Sequence, residues 1–295
     1  MTFTKPSQRA DATESLGNQT RTTQLKVISP RLEWPDKSTL PTMYDLPSED
    51  PEEPGLPDEF HDYQPALLSE TFRLQGYAND ELFSAADLNL YYDPDHNWYK
   101  RPDWFGVLGT PMGCRNDEMR RSYVCWQEEL SPFVSVELIS PGTEKEDYGH
   151  STDFAGKPPT KWTVYERILQ IPYYIIYNRY NDNLDAFRLV EGKYQPMPIG
   201  EDRRIWLPEI SAGLGFWHGK YQQFTMKWLR WYNDSGWLPT EAEAERARAE
   251  TERARAEAEK AKKEDLSRNN ELLSRQNEAL QRKLAELGVD MDDLL

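Results

Sequence analysis

The stretch "FVSVELIS" at 133–140 constrains the chain more than any other. Alternation puts Val134, Val136 and Leu138 on one face of a strand, with Phe133, Ser135, Glu137 and Ile139 on the other. Both faces are largely apolar, which is the pattern of a central strand covered on two sides. Such a strand belongs to a layered α/β sheet and not to a helical bundle or a solvent-backed hairpin. A carboxylate in its middle is costly unless it is paired or holds a metal ion. Glu137 therefore marks either a buried ion pair or a functional site.

The elements around it fit such a sheet. "YQPALLSETFRLQG" carries Leu67, Leu68, Phe72 and Leu74 near helical spacing and stops at Gly76. From about residue 81 strands alternate with turns: "DLNLYY", "WYKRPDWFGVLG", "RSYVCWQE" and "PFVSVELIS". A helical "KWTVYERIL", the strand "YYIIYNRY", a hairpin about Glu191-Gly192 and "RIWLPEISAGLGFWHGKY" follow. The order predicts an α/β sheet with antiparallel additions.

Two flanking regions differ. Residues 1–40 are polar with little periodicity and read as a loose arm. The stretch 45–60 holds seven acids and four prolines and no base, so it reads as an extended surface segment. Beyond Pro239, "ERARAE" recurs at 245 and 252, and Leu266, Leu273, Leu280 and Leu287 stand seven apart. With those leucines at d, Asn270, Asn277 and Leu284 fall at a, the register device of parallel two-stranded coiled coils. The acidic d positions of the earlier half (Glu245, Glu252, Glu259) suit a solvated helix instead. The expected organisation is an arm at 1–40, a body at 41–238, and a charged helix with coiled coil at 239–290, making a homodimer.

Charge limits the partners. The formal net charge is −16, and the body 41–238 carries −14 of it, which repels polyanions at long range. No apolar run approaches the roughly 20 residues that span a bilayer. The amino terminus lacks the apolar stretch of a secretory signal. Cys114 and Cys125 make no metal-type spacing. A cytoplasmic protein without membrane attachment is expected.

A second carboxylate stands at the turn end of another strand, Asp103 in "YKRPDWFG". Two carboxylates at a sheet edge suit a hard divalent cation, and Mg²⁺ takes one or two of them plus waters and phosphate oxygens. The alternative is that Asp103 caps a turn while Glu137 pairs with an arginine such as Arg101 or Arg167.

Pro102-Asp103 on one strand and Glu137 on a later one resemble the PD-(D/E)XK nuclease superfamily. More closely, "RPDWFGVLG…SPFVSVELISPGTEKED…GKPPTKWTVYERILQIPYYIIYNRYNDNLDAFRLVEGKYQ…WLPEISAGLGFWHGKYQ" resembles the Uma-type restriction endonucleases over about residues 40–238. The resemblance implies a restriction-endonuclease-like mixed sheet flanked by helices. The superfamily pattern would place a lysine two residues after the glutamate, where this chain has Ile139. Members of the Uma-type family carry it on the following helix, four residues before a tyrosine, matched here by Lys161 and Tyr165.

The spacing of Lys161, Val164, Tyr165 and Ile168 also puts this lysine at the head of an inward stripe. It follows Thr160, a capping residue type, in a first turn where the helix dipole disfavours a cation. Either a negative partner awaits it there, or its stem covers apolar surface and its head reaches solvent.

The implied activity is metal-assisted hydrolysis of DNA phosphodiesters. Asp103 and Glu137 would hold Mg²⁺, with Mn²⁺ as substitute, and Lys161 would orient water or stabilise the phosphate. Glu70 in "LLSETF" would add a ligand from the first helix. The rival is a non-catalytic nuclease-fold protein that associates through its tail. Other residues read as structural: His61, His96, His150 and His218 as ordinary loop or surface histidines, "EKED" around Lys145 as a solvated loop, "GLGFWHG" as turn-rich strand, and Trp228, Trp231 and Trp237 as packing.

Overall fold

The structure, a computed structural model, describes residues 28–33, 36–42, 45–46, 58–110, 119–140 and 144–288. Residues 1–27 and 34–35 of the expected arm and 47–57 of the acidic 45–60 segment lie outside them. The described end of the arm is not loose, since buried Ser29 bonds Leu108 and Arg31 bridges Leu130. In chain order come α1 (Phe60–Thr71), β1 (Leu82–Ala85), β2 (Leu90–Asp93), β3 (Trp98–Lys100), β4 (Trp104–Leu108) and β5 (Tyr123–Val124). Next are α2 (Cys125–Glu128), β6 (Val134–Leu138), α3 (Glu144–Asp147), α4 (Lys161–Thr163) and β7 (Tyr173–Asn178). The rest are β8 (Asn183–Val190), β9 (Lys193–Pro196), β10 (Arg204–Leu207), β11 (Ala212–Tyr221), β12 (Phe224–Asn233), β13 (Gly236–Trp237) and α5 (Glu241–Glu286).

The main sheet among the described residues is six-stranded in the order β1-β4-β6-β7-β8-β9, with β6 at its interior. β6 and β7 are parallel and the other neighbouring pairs antiparallel, so the sheet is mixed. A four-stranded antiparallel sheet, β10-β11-β12-β13, forms a second layer. α1 lies between the two layers. Val134, Val136 and Leu138 pack there with Leu67, Leu68, Leu214, Trp228 and Trp231. Gln64 of α1 bonds the backbone of Leu229 in both directions, its amide donating to the carbonyl (2.7 Å) and accepting from the N–H (2.8 Å). That amide satisfies two buried groups of β12 that no strand reaches.

The other face of β6 looks into a separate cluster of Phe105, Ile139, Val164, Tyr165, Leu169, Tyr174 and Ile176. Burial on both sides is what the apolar run requires. Phe133 departs from the expected alternation: it precedes the first strand residue and packs with Tyr173 on the α1 side.

Three expected elements change form. The first helix starts at Phe60, because Asp58 Oδ1 accepts the N–H groups of Phe60 (3.0 Å) and His61 (3.3 Å). "RSYVCWQE" gives only two strand residues before turning into α2, which Glu129 ends in the left-handed region at φ 60°. "KWTVYERIL" gives one α-turn, then a π-turn over Val164–Ile168. The hairpin turn at Glu191-Gly192 is as read, with φ of 51° and 75°, the paired positive values of a two-residue turn that matches strand twist.

α5 runs 46 residues, and Leu266, Leu273, Leu280 and Leu287 are all exposed. Its root is fixed: Thr240 and Glu243 form a reciprocal capping box, and Glu243 also takes the guanidinium of buried Arg230 on β12. Arg230 further donates to Leu238 O and stacks 4.3 Å from the Trp217 ring centre.

Candidate active site

β4 enters the sheet antiparallel to β6 with Trp104 opposite Val136. One step further along this register Asp103 and Glu137 come together. The Leu138 N–H donates to Asp103 Oδ2 (2.6 Å), and the Asp103 N–H points at Glu137 Oε2 (3.4 Å). Glu137 is fully buried.

The segment 160–169 supplies both partners of that carboxylate. Thr160 caps α4 by accepting the Thr163 N–H, and Asp153 in turn holds the Thr160 N–H and the Thr163 hydroxyl, both at 2.6 Å. Lys161 and Tyr165, four apart, share a face. Tyr165 donates its hydroxyl to Glu137 Oε1 (2.9 Å) and the Lys161 ammonium donates to Oε2 (3.0 Å). Neither Arg101 nor Arg167 reaches Glu137: Arg101 faces Asn89 and Asp87, and Arg167 faces Glu166.

A third carboxylate completes the cluster. Asp147 of α3, 1% exposed, accepts from Lys161 Nζ at 3.1 Å, and Tyr174 donates to its backbone carbonyl. This corrects the solvated-loop reading of "EKED": Glu144 and Lys145 are exposed, but Asp147 turns inward. A single helical turn shows no periodicity from which that could be read. Gly149, at φ +70°, lets the following loop lie on Trp162, where a Cβ would come within 2.7 Å of the ring.

Three acids surround one lysine. Burial, then the neighbouring Asp103 and Asp147 carboxylates, push Glu137 up to about 8 against the pull of Lys161. Burial likewise raises Asp103. Burial opposes the charge of Lys161, but Glu137, Asp147 and Asp103 outweigh it and hold the ammonium well above its ordinary range. Burial and mutual repulsion thus disfavour the ionised forms of both Asp103 and Glu137 despite the single cation beside them. The site carries an excess of negative charge that a divalent cation would relieve.

His61 is also corrected. It is buried, with Nδ1 2.9 Å from Asp58 Oδ1 and Nε2 3.1 Å from Leu138 O and 3.0 Å from Ser140 Oγ. Its place on the stripe His61, Gln64, Leu68 of α1 is the signal that marks it as inward. His96 is exposed beside Asp93. Glu70 is not brought to the cluster. It lies nine residues beyond His61, about 13 Å along α1, on the helix that covers the opposite face of β6, and its Oε1 accepts from Tyr221 (2.8 Å). Ile139, at the position where the superfamily pattern puts lysine, is buried in the apolar cluster. Trp228 and Trp231 are core residues as expected, whereas Trp237 is only partly covered.

The Uma2 family, described as "Putative restriction endonuclease", matches residues 32–234. The chain belongs to the Uma2 family. Uma2 proteins are part of the PD-(D/E)XK nuclease superfamily, and the mixed α/β architecture agrees with the restriction-endonuclease-like fold. Curated proteins gave no match. Among the described residues, no helix is long and apolar enough to cross a membrane, and no group of three or more His, Cys, Asp or Glu is spaced to hold a metal ion.

Proposed function

We propose that this Uma2 protein is a divalent-metal-dependent DNA endonuclease with Asp103 and Glu137 as metal ligands and Lys161 as the displaced catalytic lysine. The observation that carries the reading is the convergence of two carboxylates and the Lys161 ammonium at one end of a buried strand. The donor set is all oxygen, which favours Mg²⁺, with Mn²⁺ as substitute. A bound ion of this type polarises the phosphoryl oxygen and acidifies a water. Lys161 presents a compact cation to the phosphate's developing charge or to the attacking water. Asp147 and Tyr165 hold Lys161 and Glu137 in place. Glu70 is left out of the ligand set because Tyr221 engages it away from the cluster.

Calorimetry with Mg²⁺ and Mn²⁺ on the whole chain, paired with plasmid nicking, tests this. Glu137→Gln should weaken ion binding strongly and abolish nicking. Equal ion binding by both proteins would end the assignment.

A second reading has its own support. Ile139 in the lysine position and the exposed leucines of α5 fit a catalytically idle fold that self-associates through its tail. Ion binding without any nicking, in a protein that remains dimeric, would favour it.

A further inference from the structure

A cleft of about 430 Å³ opens on the α1 side of the main sheet, the face opposite the Glu137 carboxylate, lined by Tyr177, Arg179, Tyr180, Asp182, Met226 and Lys227. That volume is within the range of small-ligand sites. Its position follows from the parallel pair: Leu138 is opposite Tyr177, and Ile139 N–H donates to Tyr177 O (2.9 Å). The residues after Tyr177 thus leave the sheet at the edge where those after Glu137 leave it. With strands about 4.8 Å apart and a rise of about 3.3 Å per residue, the backbones of Arg179 and Glu137 are about 11 Å apart.

The chemistry of the cleft is unusual for this acidic chain. The Arg179 guanidinium sits 4.9 Å from the Phe60 ring centre and 5.0 Å from that of Tyr180, and its buried Nε has no hydrogen-bond partner. Lys227 adds a second cation, 2.6 Å from Asp182 Oδ2. Tyr180 is 57% exposed. An exposed aromatic ring beside two cations is the combination that takes a base and its phosphate together.

Arg179 is also tied to the carboxylate site. Its Nη2 donates to Asp58 Oδ2 (2.6 Å), and the other oxygen of Asp58 faces His61, whose Nε2 faces Leu138 O. The Leu138 N–H is the group that holds Asp103. The guanidinium is thereby held in a fixed relation to the strand end that carries Glu137.

We infer that this cleft seats a nucleotide of the bound strand where it passes the sheet edge, away from the scissile phosphate. Tyr180 stacks on the base, and Arg179 and Lys227 meet the phosphate. The inference rests on the nuclease reading.

The test is fluorescence anisotropy of short fluorescein-labelled DNA and RNA oligonucleotides with the full chain, without divalent cation, alongside nicking kinetics in Mg²⁺. Tyr180→Ala and Lys227→Gln should each weaken binding about tenfold and raise KM by more than they lower kcat. Lys227→Gln should also reduce the salt slope of binding by about one, whereas Lys193→Gln, the same charge change on β9, should not. Loss on both nucleic acids identifies a general nucleotide seat, and loss on DNA alone a DNA-specific one. Wild-type affinity and slope in both variants, while Glu137→Gln still abolishes nicking, would overturn the cleft and leave the nuclease reading standing. Binding losses in the variants of a wild type that never nicks would support the cleft and overturn the nuclease reading.

Discussion

The Lys161 ammonium lies 3.0 Å from Glu137 Oε2, although the two residues are 24 apart in the chain and sit on different elements. The same ammonium holds Asp147 at 3.1 Å. Lys161→Ala should therefore abolish plasmid nicking and also lower stability, because it leaves two buried carboxylates without their cation. The loss in denaturant unfolding should be up to about 3 kcal/mol, below the usual range for a broken buried pair, since Glu137 can take up a proton. Mg²⁺ should recover part of it. Lys161→Arg should rescue nicking poorly, because a planar fork does not replace a compact ammonium. A fully active Lys161→Ala protein would remove this lysine from the chemistry.

The ion-free protein should lose stability as pH rises. Glu137 ionises near 8 in the folded chain against an ordinary value of 4.5, so the folded state binds the proton more tightly than the unfolded one. Below about pH 4.5 both states are protonated and Glu137 imposes no cost. Between 4.5 and about 8 each pH unit removes up to about 1.4 kcal/mol, and above that range the cost is constant. Urea unfolding at pH 5 and pH 8 in chelator, compared with Glu137→Gln, reads the effect. Identical slopes in the two proteins would contradict it, and Mg²⁺ should flatten the wild-type curve.

Tyr165→Phe and Asp147→Asn remove the groups that orient Glu137 and Lys161 without removing either. Each should cost about 10–100-fold in ion affinity or nicking rate, the usual size for groups that position metal ligands. Tyr165→Phe should act mainly on ion binding and Asp147→Asn mainly on rate, as separated by calorimetry and nicking kinetics. Lys145→Ala, at an exposed neighbour of Asp147, should change neither.

The tail should set the oligomeric state. A chain ending at Glu250 keeps Thr240 and Glu243 for Arg230 and removes the leucine heptads. Sedimentation should show a dimer for the full chain and a monomer for the shortened one. Asn270→Leu with Asn277→Leu should raise the helix melting temperature and broaden the range of oligomers, because asparagine at a restricts strand number at a cost in stability. A truncated chain that stays dimeric would place the interface in the body.

Much of this architecture is legible in the sequence because strand alternation and turn chemistry act over a few residues. The apolar faces of Val134–Leu138 and the Glu191-Gly192 turn are local matters, and the spacing of Lys161 and Tyr165 survives the change from α- to π-turn. Asp147 is not legible, since what buries it is a contact with a lysine 14 residues on. His61 is hidden for another reason. Its partners at Leu138 and Ser140 are 77 and 79 residues away, so only the closed sheet shows what it touches.

The joint between Arg230 and Glu243 bears on mechanics as well as stability. A helix rooted through a capping box, a buried guanidinium and a second ion pair from Arg73 to Glu241 cannot swivel freely on the body. At about 1.5 Å per residue its 46 residues form a rod about 69 Å long. Held at its first turn, the helix leaves the body in a set direction, so a second chain gripped by the leucine heptads would be placed by that direction and by the length of the rod.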